Sequence, residues 1–132
     1  MYLLDSNVCV RYLKYAHAGI VARIHALEPH EIALCSIVKA ELLYGARNSR
    51  AVQSNLTTLQ KFFRPFQSLP FDDRCAEEAA QIRADLAAQG RPIGPHDILI
   101  AATARAHDAV LVTHNIGEFA RVTGLRLEDW EV

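Results

Sequence analysis

Residues 90–115 read GRPIGPHDILIAATARAHDAVLVTHN, and two elements can be read from them. Gly94-Pro95 opens a helix, because proline at the first helical position gives up only an amide that has no intrahelical partner. That helix carries Ile98, Leu99, Ala101, Ala102 and Ala104, small and apolar enough for close packing. Residues 109–112 (AVLV) then form a continuous apolar run, the mark of a strand covered on both faces in a parallel sheet. A buried helix followed by a buried strand is the repeating unit of an α/β domain.

The same alternation extends to both ends. Tyr2–Leu4 is a short apolar run that stops at Asp5. Helical patterns follow over residues 7–15 and 20–27, and Pro29 breaks them. Residues 31–35 (EIALC) alternate and predict a second strand, and Ser36 reads as the N-cap of a helix running to about Arg47. Val52, Leu56, Leu59, Phe62 and Phe63 mark one face of the next helix. Residues 67–71 predict a third strand, which Pro70 confines to an edge or an end. Asp72 or Asp73 caps the helix that Gly90 closes. A short helix around residues 116–122 and a strand near 126–130 complete the chain. The pattern predicts a three-layer α/β/α domain with a central, mostly parallel sheet of four or five strands, one domain over residues 1–132.

Composition narrows the function classes. The 132 residues are 51% apolar and 22% charged, which excludes a disordered chain. Fourteen basic against fifteen acidic residues give a net charge of −1, so overall charge does not mark a basic nucleic-acid binder; a local patch stays open. No apolar run is long enough to span a bilayer. The start, MYLLDSNV, lacks the features of a signal peptide. Cys9, Cys35 and Cys75 are odd in number and far apart, so neither a zinc site nor a disulfide framework is expected, and a reducing cytoplasm is.

In open parallel sheets, ligands bind beyond the carboxyl ends of the strands. Asp5 follows the first strand, and Thr113, His114 and Asn115 follow the fourth. Glu41 lies in the helix that leaves the second strand, among Ala40, Leu42 and Leu43. Asp97, beside His96, enters an apolar helix. Clustered carboxylates are costly to desolvate and repel one another, and a hard divalent cation resolves both problems. Duller roles exist for each: Asp5 and Asn115 as N-caps, Asp97 as a complement to the helix dipole, Glu41 and Glu118 as solvated helix residues.

The set MYLLDSNV, SIVKAELLYGA, GRPIGPHDILIAATARAHDAVLVTHNIGEF and GLRLEDW resembles the PIN-domain ribonucleases, specifically the VapC-like toxins of type II toxin–antitoxin systems. The resemblance spans nearly the whole chain and rests on the four pieces together. It implies that Asp5, Glu41 and Asp97 bind Mg²⁺ or Mn²⁺. Asn115 stands where many relatives carry Asp, so Glu118 is the alternative fourth catalytic acid. Ser6, Asn7, Thr113 and Asn115 match polar positions around the acids. The resemblance also implies an RNA substrate, with a tRNA anticodon loop as one target, a homodimer, and a cognate antitoxin that blocks the acidic pocket with an arginine in a larger assembly.

Arg11, Lys14, Lys39, Arg47 and Arg50 are candidates to steer phosphates, and Tyr12, Tyr15, Tyr44 and Phe119 candidates to stack on bases. Each also reads as ordinary surface charge or core packing. A haloacid-dehalogenase-type phosphatase needs a second Asp where Asn7 stands and a late lysine. The only lysines are Lys14, Lys39 and Lys61. The remaining rival is a catalytically inactive PIN scaffold that binds RNA or protein only, and retention of all three acids argues against it.

Overall fold

A computed structural model describes the protein from Met1 to Val132. Its strands are β1 (Tyr2–Leu4), β2 (Ile32–Cys35), β3 (Gln67–Leu69), β4 (Val110–Val112) and β5 (Leu127–Glu128). Its helices are α1 (Ser6–Leu13), α2 (Ala18–Ala26), α3 (Ser36–Arg47), α4 (Val52–Phe63), α5 (Asp73–Ala88), α6 (Pro95–Ala106) and α7 (Ile116–Phe119). The sheet order is β3-β2-β1-β4-β5, and every pairing is parallel. The chain therefore builds outward from β1 through β2 and β3, then returns to the other side of β1 with β4 and β5. The point of return lies between β1 and β4, where an open α/β sheet leaves a crevice.

The interior strands are apolar because both faces are covered. Leu3, Leu4, all of Ile32–Cys35, Leu111 and Val112 are completely buried. Ile32–Cys35 is thus a fully covered strand, and Glu31, read as its first residue, belongs to the short turn before it. Helix α6 packs against α5 and also contacts α3 and β4. Ala101, Ala102 and Ala104 have no exposed surface, since only a methyl group fits between layers this close. The three cysteines are buried and unpaired, and burial pushes the Cys9 thiol well above its usual range.

Several element ends differ from the sequence reading: β3 stops at Leu69 and α7 at Phe119, and two further differences have a local cause. Ser36 is already helical, and its predecessor Cys35, still extended at ψ 163°, is the capping residue without a side-chain hydrogen bond. The helix leaves the strand with no intervening loop, so no free serine conformation remains to cap it. The last strand shrinks to Leu127–Glu128 because Trp130 turns inward, where it meets Tyr2 edge-on at 5.4 Å beneath the Arg23 guanidinium at 5.1 Å. Asp72 is the cap of α5, accepting from Cys75 N at 3.1 Å, and Gly90 closes that helix at φ +64°.

Leu111 is wholly enclosed between β1 and β5. Leu111→Ala is expected to cost about 3 kcal/mol in a urea unfolding experiment. A loss below about 1 kcal/mol would mean that the β4 layer is less tightly packed than described.

Candidate active site

Four elements deliver one carboxylate each to the return point. Leu4 pairs with Val112, and Asp5 N donates to Val112 O at 3.1 Å, so Asp5 and Thr113 leave the sheet side by side. Asp5 also caps α1, its Oδ1 accepting from Val8 N at 2.9 Å, and the Thr113 hydroxyl bonds to the same carboxylate. Only 6% of Asp5 is exposed. Its cap role is therefore real, and it coexists with a place in the acidic cluster. Burial raises its carboxyl pKa; the Thr113 and Val8 bonds oppose this, and the charges of Glu41 and Glu131 add to it.

Asp97 stands in the first turn of α6, which Gly94 and Pro95 aim at the same crevice. Its pKa is pushed up to about 6, first by burial and then by the charges of Glu118, Glu41 and Asp5, with His96 opposing. Glu41, in the second turn of α3, has a buried Oε1 with no hydrogen-bond partner; His96 Nδ1 is 3.7 Å away. Glu118 on α7 accepts from Asn115 Nδ2 at 2.7 Å. Of the two candidates for a fourth acid, Glu118 is thus the one whose charge reaches Asp97, and Asn115 is the residue that orients it. Asn115 sits at the N-cap of α7 but makes no side-chain cap bond.

The surrounding polar residues divide. Thr113 is fully buried, bonds to Asp5 and accepts from Asn115 N at 3.0 Å. Ser6, first residue of α1, has a buried hydroxyl without a partner. Asn7 is exposed. No lysine or arginine pairs with Asp5, Glu41, Asp97 or Glu118.

One wall of the crevice was not anticipated. The end of the chain folds back so that Glu131, its side chain 8% exposed, accepts from Arg11 Nε at 2.9 Å. Asp129 Oδ2 lies 2.9 Å from His114 Nδ1, and its Oδ1 accepts from Glu131 N at 2.9 Å. Arg11 is therefore committed to an internal partner rather than free for phosphate. Phe119 is 1% exposed and cannot stack on a base. Tyr44 and Tyr15 are each 70% exposed. The only signal for this wall was the spacing of Asp129 and Glu131 around an inward-facing tryptophan.

The donor set suits a hard cation. It is made of oxygens, holds an unpartnered buried carboxylate oxygen and lacks a protein cation. No three of the acidic, histidine and cysteine side chains converge into a finished ligand cage. Mg²⁺ does not require one, since it keeps several waters and binds through one or two carboxylates.

An all-parallel α/β/α sheet with acids gathered at its return point defines a class, and the comparisons agree with it. Residues 2–125 match the PIN domain. The tRNA(fMet)-specific endonuclease VapC of Shigella flexneri is 40% identical over 129 residues, covering 98% of this chain and 97% of that protein. Ribonuclease VapC2 of Rickettsia felis is 36% identical over 132 residues, covering 99% and 98%. The DNA-bound VapBC of Salmonella typhimurium superposes with a TM-score of 0.92 at 37% identity, covering 98% of this chain and 97% of that one. The chain belongs to the PIN-domain family and, within it, to the VapC ribonucleases.

The raised Asp97 pKa has a signed consequence. The folded value of about 6 exceeds the ordinary carboxyl value of 3.8, so ionising Asp97 destabilises the folded state. The penalty is absent below pH 3.8, grows between 3.8 and 6, and is complete above 6. Asp97→Asn in EDTA is expected to melt higher than the parent at pH 7.5, with the gap closing near pH 4. A gap independent of pH would contradict the electrostatic origin.

Proposed function

We propose that this chain is a metal-dependent endoribonuclease that hydrolyses a phosphodiester of a structured RNA, with tRNA as its substrate class, and that it acts as the toxin of a toxin–antitoxin pair. The observation that carries the reading is the set of Asp5, Glu41, Asp97 and Glu118. They come from four elements, the charges of Glu118, Glu41 and Asp5 add to burial in raising the pKa of Asp97, and no lysine or arginine pairs with any of them. Support for the substrate comes from the likeness to a protein named for tRNA(fMet) cleavage. Support for the pairing comes from the likeness to VapBC.

Asp5, Glu41 and Asp97 would hold a divalent ion, Mg²⁺ or Mn²⁺. Bound there, the ion would supply Lewis acidity toward water and toward the scissile phosphate oxygens. The protein's part is preorganisation. Val8 N and Thr113 fix the Asp5 carboxylate, Asn115 fixes Glu118, and the first turn of α6 fixes Asp97. Because water is the nucleophile in this scheme, the 2′-hydroxyl is not consumed; the likeness to the family implies products with a 5′-phosphate and a 3′-hydroxyl. A cognate antitoxin would place a cation in the same acidic crevice, and the chain would act as a homodimer. No helix is long and apolar enough to cross a membrane.

The test is cleavage of total tRNA by antitoxin-free protein with Mn²⁺ or Mg²⁺. Discrete, EDTA-sensitive cuts are expected, and Asp5→Asn, Glu41→Gln and Asp97→Asn are each expected to lower the rate by about 100-fold or more. Mn²⁺ should also raise the melting temperature of the parent and fail to raise that of Asp97→Asn. Metal-independent cleavage, or wild-type activity in Asp97→Asn, would overturn the assignment. Intact RNA under all conditions, including ribosomal RNA, would favour the inactive scaffold.

A further inference from the structure

Helix α1 ends in an unusual residue. Tyr15 N donates to Tyr12 O at 3.0 Å and Ala16 N to Arg11 O at 2.9 Å, the paired bonds of a left-handed helix closure. Tyr15 supplies the left-handed position, at φ +50°. Glycine or asparagine usually stands there, because a Cβ is strained in that conformation. Burial does not offset the strain, since 70% of Tyr15 is exposed.

The backbone instead lays one ring on another. The Tyr15 and Tyr12 rings stack with centroids 6.1 Å apart and planes 26° apart. Tyr12 is itself fixed: its hydroxyl is 3.0 Å from His25 Nε2, and its ring meets Phe62 at 5.5 Å and His25 at 5.7 Å. A rigid inner ring thus carries an exposed outer ring. Lys14, next to Tyr15, lines a groove of about 440 Å³ whose wall also includes Glu41.

An exposed aromatic face beside a cation, joined by a groove to an acidic cluster, suits one ligand class well. Every nucleobase offers a π-face, and loops of structured RNA splay their bases outward. We propose that Tyr15, backed by Tyr12, is a base-stacking subsite for the RNA strand, with the Lys14 ammonium holding an adjacent phosphate. The subsite rests on the ribonuclease reading. The eight residues of α1 rise about 12 Å, which sets the stacked base a few nucleotides from the acids.

The test uses full-length Asp97→Asn protein in EDTA and a fluorescent RNA stem-loop, read by anisotropy. Adding Tyr15→Gly is expected to weaken binding about tenfold, while the melting temperature rises by about 3 °C as the backbone strain is relieved. Tyr15→Asn should behave likewise. Tyr15→Trp should bind within about twofold of the parent and show indole quenching on RNA addition, distinguishable from the buried Trp130. Unchanged RNA affinity in Tyr15→Gly would overturn the subsite. Unchanged affinity with weakened antitoxin capture would assign the ring to a protein partner instead, and also overturn it. If an otherwise wild-type Tyr15→Gly enzyme cuts tRNA with unaltered KM, the subsite falls and the ribonuclease stands. If the wild-type chain neither binds nor cuts RNA, both fall.

Discussion

The pairing register of β1 and β4 governs the acidic end of the molecule. With Leu4 opposite Val112, the next residues, Asp5 and Thr113, emerge together and bond to each other. A slip of one residue would turn every side chain of β1 to the opposite face. It would put Leu3 and Leu4 in the wrong layers and take Asp5 out of reach of Thr113. The apolar core and the acidic crevice are therefore specified by the same alignment, and neither can form without the other.

Around that alignment the protein accepts local costs. Asp5 and Asp97 are held where burial and neighbouring charge oppose ionisation, and Glu41 Oε1 is left unpartnered. The compensations sit elsewhere: the covered strands, the alanine-rich packing of α6, and the inward Trp130. Unfavourable features gathered at one end of a well-packed scaffold are what a site built to receive a charged ligand requires. The aromatic and cationic groups of α1 lie outside the ring of acids, which suits a strand that carries both bases and phosphates.

Much of this was legible because the relevant signals are local. Continuous apolar runs identified the interior strands, and proline and glycine marked the ends of α5 and α6. Asp5, Glu41 and Asp97 stood out as charges bordering apolar segments. The wall formed by Arg11, His114, Asp129 and Glu131 was not legible. Its partners are separated by long stretches of chain, and each looks like an ordinary surface charge in its own neighbourhood. Phe119 takes the core-packing role already open to it, whereas the partner of Arg11, Glu131, lies 120 residues away, where no local pattern reaches. Ser36 misled because a good capping residue stood one position too late for a helix that starts directly from its strand.

Strand β1, at the middle of the sheet, is synthesised before the other four, and its partner β4 comes roughly a hundred residues later, a pairing that must wait for a very large loop to close. Asp5 and Glu41 leave the ribosome long before Asp97, Thr113 and Glu118. On the ribonuclease reading, a nascent chain therefore carries no assembled hydrolytic centre until Asp97 and Glu118 have emerged. The order of synthesis thus keeps the four acids apart until the sheet can close around β1.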